Sequence, residues 1–176
     1  PLIDAVFGTA PRERHLPYAV SGRARAQVNA PARALLDALA LLASRCAVND
    51  VFGLLQQAVV ARRFDLAQDE LDQVRDWLVD SGIHWALDAD HRGGFDVPAQ
   101  ARHSFADGLA RLFLGYALPD HLGTPFQGRL PAGDAEGSGA LTLGAFWRFV
   151  DALKTLRGRA TRPHAAGEWP AILADA

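Results

Sequence analysis

His84, Asp88, Asp90, His91 and, further on, His103 are of the types that bind metals or move protons. Imidazole and carboxylate donors at short spacing are the ligand set of a zinc site. If the segment were helical, His84 and Asp88, four apart, would share one face. The chemistry would then be metal-dependent hydrolysis centred on His84, Asp88 and His91. The competing reading is a polar loop after a buried Trp85. Trp85 and Leu87 alternate with polar residues there, and Gly93-Gly94 closes the segment as a solvated turn.

Other catalytic chemistry finds little footing. A phosphate-cradling loop needs a Gly-rich run ending in Lys-Ser or Lys-Thr, and the single lysine, Lys154, follows a Leu within a helical pattern. An autonomous ATPase is therefore excluded, and no cofactor is expected. Gly137-Ser138-Gly139 lacks the strand and turn of a nucleophile elbow. Cys46 has no base beside it in sequence, and its neighbours Leu41, Leu42 and Val48 point to a buried thiol in a reducing compartment. Asp69, Glu70 and Asp72 cluster where a helix begins, and a helix N-terminus favours negative charge.

Seventeen arginines remain, and guanidinium suits bidentate phosphate contacts. The candidate DNA-binding residues are Arg23 with Arg25, Arg62 with Arg63, and Arg157, Arg159 and Arg162. Each also reads as an ordinary surface charge, because no aromatic residues interleave with them to stack bases. A net charge of -2 argues against a strongly basic nucleic-acid-binding domain but leaves room for a local basic face.

The elements that must position these groups follow from periodicity. With 176 residues, 49% hydrophobic and 22% charged, the chain has the composition of a globular protein. No apolar run approaches the roughly 20 residues that span a bilayer. No secretory leader is legible, and the opening at Pro1 without Met suggests a piece cut from something longer. Residues 2–7 and Leu16-Pro17-Tyr18-Ala19-Val20 read as short extended pieces. Asn29 caps a helix that runs through Pro31 to about residue 43, with Leu35, Leu39 and Leu42 on one face. Asn49 is the next cap candidate, for a helix carrying Val51, Phe52, Leu54 and Leu55, and a short helix follows over 59–64. Residues 68–81 form the clearest amphipathic helix, with Leu71, Val74 and Leu78 in one stripe and Gly82 ending it. Residues 105–117 form another, carrying Leu109, Leu112, Phe113 and Tyr116 and stopped by Pro119. The Pro-, Gly- and Asp-rich stretch 120–139 reads as a long surface loop. After it come a helix over 141–156, with Phe146, Phe149, Val150 and Leu153 inward, and a last short helix over 168–174. No internal repeat is visible. The fold class is mostly α, a bundle-like helical domain over 29–176, with a small strand element and loop over 1–28.

Two early runs, Ile3-Asp4-Ala5-Val6-Phe7-Gly8 and Leu16-Pro17-Tyr18-Ala19-Val20-Ser21, and several later ones resemble the RecC family, the gamma subunit of the RecBCD exodeoxyribonuclease V. The first run resembles that family's Ile-x-Ala-Val-Phe-Gly, and the second its Ile-Pro-Tyr-x-Ile-Ser. The second run is also similar to the Gly-Ile-Pro-Tyr segment of UvrD-like superfamily 1 helicases. Ala61-Arg62-Arg63-Phe64-Asp65-Leu66, Ser81-Gly82-Ile83-His84-Trp85-Ala86-Leu87-Asp88, Leu114-Gly115-Tyr116-Ala117-Leu118 and Glu168-Trp169 follow in the family's order. His84 stands where the family has Arg, Ala86 where it has Gly, and Phe105-Ala106-Asp107-Gly108-Leu109 where it has Trp-Arg-Phe-Gly-Leu. The resemblance implies a non-catalytic, cytoplasmic fragment of a helicase-like subunit without ATPase motifs. Residues 1–28 would belong to the helicase-like core and 29–176 to a mostly helical 2B-type insertion. It further implies RecB-like and RecD-like partners, DNA contacts within an ATP-dependent exodeoxyribonuclease, and a role in double-strand break repair and recombination. A pure protein-interaction module, meeting a partner helix through an exposed apolar face, is the remaining alternative.

Overall fold

Side chains cap several helix starts, at Asn29, Asp88 and Ser104, and at the Val48 amide, where no cap side chain exists, a tertiary hydrogen bond serves instead. The computed structural model describes residues 29–118, 125–133 and 139–174. The expected strands and Arg23, Arg25 and Pro119 lie outside the described residues.

Among the described residues the first helix, α1 (Ala30–Leu42), begins as expected: the Asn29 Oδ1 accepts the Ala32 amide at 3.1 Å, with Pro31 in the first turn. Its buried stripe is Ala34, Ala38, Leu41 and Leu42, while Leu35 and Leu39 are half-buried beside it. Small residues on the inner face let α1 lie close to its neighbours. Asn49 is not the cap of α2 (Val48–Leu55). That position falls to Ala47, which offers no side-chain acceptor, and the Val48 amide donates instead to the carbonyl of distant His84 at 2.9 Å. The short α3 (Ala58–Arg63) closes a corner packed on α1.

Glu70 starts α4 (Gln68–Asp80) by reaching back to the Ala67 amide at 2.7 Å, and its other oxygen accepts the Thr142 hydroxyl at 3.0 Å. The N-terminal acidic cluster thus includes one member that ties α4 to a distant helix. Leu71, Val74 and Leu78 are buried as expected, joined by Trp77, 1% exposed. Gly82, at φ +64°, supplies the left-handed residue that ends the helix. After α5 (Ala89–Gly93), Ser104 caps α6 (Phe105–Ala117) through the Asp107 amide at 3.3 Å. Leu109 and Leu112 face inward, and Phe113 and Tyr116 remain exposed.

The 22-residue α7 (Gly139–Ala160) packs against α1, α4, α6 and the last helix, α8 (Trp169–Ala174), which follows a 3-10 turn over Ala166–Glu168. Phe146, Phe149, Val150 and Leu153 are buried in it. Part of the expected surface loop proves to be core. Pro131 and Ala132 are buried, the Ala132 amide donates to the Arg111 carbonyl at 3.0 Å, and the Arg111 Nε donates to the Leu130 carbonyl at 2.8 Å. The insertion needs a notch in α6: a Cβ on Gly115 would collide with the Ala132 carbonyl.

The described residues are thus mostly helical. Their β structure is confined to two isolated bridges, Ala47 with Trp85 and Phe126 with Arg129. Among them, no helix is long and apolar enough to cross a membrane.

Candidate functional site

Residues 84–88 are not helical, so the expected four-residue pairing of His84 with Asp88 does not occur. The segment threads between the α1–α2 corner and the start of α6. Ala86, at φ +69°, donates its amide to the Arg45 carbonyl at 3.0 Å, and the Ala86 carbonyl accepts the Phe105 amide at 3.0 Å. These bonds hold a non-glycine residue in the left-handed region.

The constellation then divides. His91 is 1% exposed, and both ring nitrogens are engaged: Nδ1 accepts the Leu87 amide at 3.1 Å and Nε2 donates to the Ser44 carbonyl at 3.2 Å. This pattern assigns the neutral ring, with its proton on Nε2. Burial first, then the nearby Arg157 guanidinium, pull the His91 pKa below its ordinary value, against the Ser44 hydrogen bond and the Asp88 charge. Asp88 caps α5, its Oδ1 accepting the His91 amide at 2.9 Å, while Oδ2 pairs with Lys154 at 3.3 Å. Burial opposes its ionisation, but the His91 amide, Lys154 and Arg157 together hold the carboxyl below its usual range. His84 and His103 sit outside this hub as exposed rings with centroids 5.0 Å apart, and His103 Nδ1 lies 2.9 Å from the Gly82 carbonyl. Asp90 is exposed. Among the described residues, no three His, Cys, Asp or Glu side chains converge to hold an ion.

Trp85 is half-buried rather than fully inside. Its ring has the Arg92 guanidinium at 4.6 Å, the Arg45 guanidinium at 5.8 Å and Phe95 edge-on at 6.0 Å. Cys46 is fully buried, and burial pushes its thiol up to about 11 over the opposing pull of Arg157. A thiol so rarely ionised is a poor nucleophile.

The candidate arginines do not share one surface. Arg63 and Arg159 line a groove of about 760 Å³ between α1, α3, α7 and α8. Arg62 faces a neighbouring depression with Asp65. Arg157, two residues before Arg159 and so nearly opposite on α7, lies close enough to His91, Asp88 and Cys46 to bias all three. Arg162 is exposed beyond the end of α7. The groove also recruits Arg148, which the sequence reading passes over. The signal was present, since Arg148 and Arg159 are eleven apart, three helical turns, and fall on one face.

The class these features define is a helical domain whose ionisable side chains serve as caps and internal staples, with an apolar groove edged by arginines. Comparison with known families places it more narrowly. Residues 28–176 match the family model described as RecBCD enzyme subunit RecC fourth domain. The chain is similar to the RecBCD enzyme subunit RecC of Escherichia coli (strain K12), 35% identical over 175 residues covering 99% of this chain and 16% of that protein. It is also similar to the RecC subunits of Haemophilus influenzae, 29% identical over 98% of the chain and 15% of that protein, and of Mycolicibacterium smegmatis, 27% identical over 96% and 17%. The chain belongs to the RecC family. It spans 15–17% of the length of these relatives.

Proposed function

We propose that this chain is a non-catalytic helical segment of the gamma subunit of an exodeoxyribonuclease V-type assembly, acting in cytoplasmic double-strand break repair and recombination. Its work is to scaffold RecB-like and RecD-like subunits and to touch DNA within the complex. The observation that carries this reading is the match to the E. coli RecC subunit across 99% of the chain. The hydrogen bonds of His91 and Asp88 and the burial of Cys46 support the non-catalytic part, because each occupies a group that chemistry would need free. In this reading residues 29–176 form a 2B-type helical insertion and residues 1–28 a strand and loop of the helicase-like core. Phosphate contacts are proposed for Arg23, Arg25, Arg62, Arg63, Arg157, Arg159 and Arg162, in separate groups rather than one continuous track.

Fluorescence anisotropy of a forked DNA duplex tests the DNA part. Binding at low salt that weakens steeply at moderate salt is expected, because phosphate contacts release counterions. No binding at micromolar protein would remove direct DNA contact and leave the scaffold role.

A further inference from the structure

The groove between α1, α3, α7 and α8 has a floor of buried apolar groups, including Ala34, Ala38, Leu54, Phe149, Leu153 and Leu156. At its edge Trp147 is 46% exposed. Arg63, Arg148 and Arg159 line it, all exposed, and among the described lining residues they face a single carboxylate, Asp151. A surface apolar at its base and cationic along its sides is complementary to a ligand with an apolar stripe flanked by negative charge. An amphipathic helix has that form, with apolar side chains at spacings of three and four and carboxylates beside them.

Charge also separates the rival occupants. A second copy presenting the same groove would set arginines against arginines. Residues 1–28 carry Arg12, Arg14, Arg23 and Arg25 against only Asp4 and Glu13, the wrong sign for this rim. Phosphates can meet the outward ends of Arg63 and Arg159 at the rim, as proposed above, but nucleic acid seated in the groove would leave sugar and phosphate facing methyl groups and a phenyl ring on its floor.

We propose that the groove is the docking site for an acidic amphipathic helix contributed by another subunit of the assembly. This proposal rests on the scaffold reading above and names the surface that performs it.

The test uses the complete RecC-family subunit containing this sequence, assembled with its RecB-like and RecD-like partners. A photo-crosslinking benzoylphenylalanine replaces Trp147, or in a second preparation the exposed groove residue Thr155, and mass spectrometry identifies the attached peptide. The expected product is a peptide of another subunit with apolar residues at helical spacing and at least two carboxylates. Combining Arg63→Glu with Arg148→Glu should cut its yield at least tenfold. A crosslink to the subunit's own chain, to a second copy or to DNA, or an assembled complex giving no crosslink at either position, would overturn the groove proposal while leaving the scaffold reading standing. Failure of the unmodified subunits to assemble would overturn both.

Discussion

His91 joins three parts of the chain: its ring reaches the α1–α2 corner at Ser44 and the left-handed turn at Leu87, and its backbone amide binds Asp88 at the start of α5. Replacing it with alanine leaves a buried amide and carbonyl unpaired and opens a cavity, so His91→Ala should cost about 3 kcal/mol in urea denaturation at pH 7.5. The pH dependence follows from the lowered pKa. Below the ordinary value of 6.5 the unfolded chain takes up a proton that the folded ring resists, so unfolding is favoured as the pH falls. Wild type should therefore keep its full His91 contribution above pH 6.5 and lose it progressively below, whereas His91→Ala lacks this dependence. The stability gap between them should narrow from pH 7.5 to pH 5, and a gap that widened would contradict the assignment of a neutral ring. Asp88 acts in a separate window: its stabilisation is present above its ordinary value of 3.8 and is lost as the pH falls through the lower folded value.

Among elements, α6 shows how a single missing Cβ decides packing. Gly115 admits the Ala132 backbone, which cannot yield as a flexible side chain could, whereas Gly144 in α7 has nothing within 4 Å of where a Cβ would stand. Gly115→Ala should destabilise the chain by about 2 kcal/mol through overpacking. Gly144→Ala should stabilise it by about 0.5–1 kcal/mol through helix propensity. Thermal unfolding of the two variants should shift in opposite directions; shifts of the same sign would remove the notch from the account. The same elements show what periodicity can reveal. The helices over 68–81 and 105–117 were legible because apolar residues recur at spacings of three and four, and Gly82 marks one end plainly. The burial of Pro131 and Ala132 was not, since Pro, Gly and Asp signal turns while burial depends on the remote notch at Gly115. Nor could the local pattern show that Ala86 turns left-handed, because the bonds that hold it come from Arg45 and Phe105. The metal reading of His84, Asp88 and His91 failed at that turn: closeness in sequence became a buried staple on one side and an exposed ring pair on the other.

At the scale of the whole molecule, α7 is the spine on which α1, α4, α6 and α8 pack. Its two sides differ in kind. One side carries Arg157 and Lys154 toward the His91 hub, and another carries Arg148 and Arg159 along the apolar groove. A net charge of -2 is thus compatible with a concentrated cationic surface, because position rather than sum decides where an acidic partner is drawn. The proposed role of this segment is to present surface to partners. Hydrogen–deuterium exchange on the complete RecC-family subunit, alone and then assembled with its RecB-like and RecD-like partners and forked DNA, tests it most directly. Slowed exchange in at least one helix of residues 29–174 on assembly, with α3 and the second half of α7 foremost, is the predicted result. Exchange across the whole segment left unchanged by both the subunits and the DNA would contradict it.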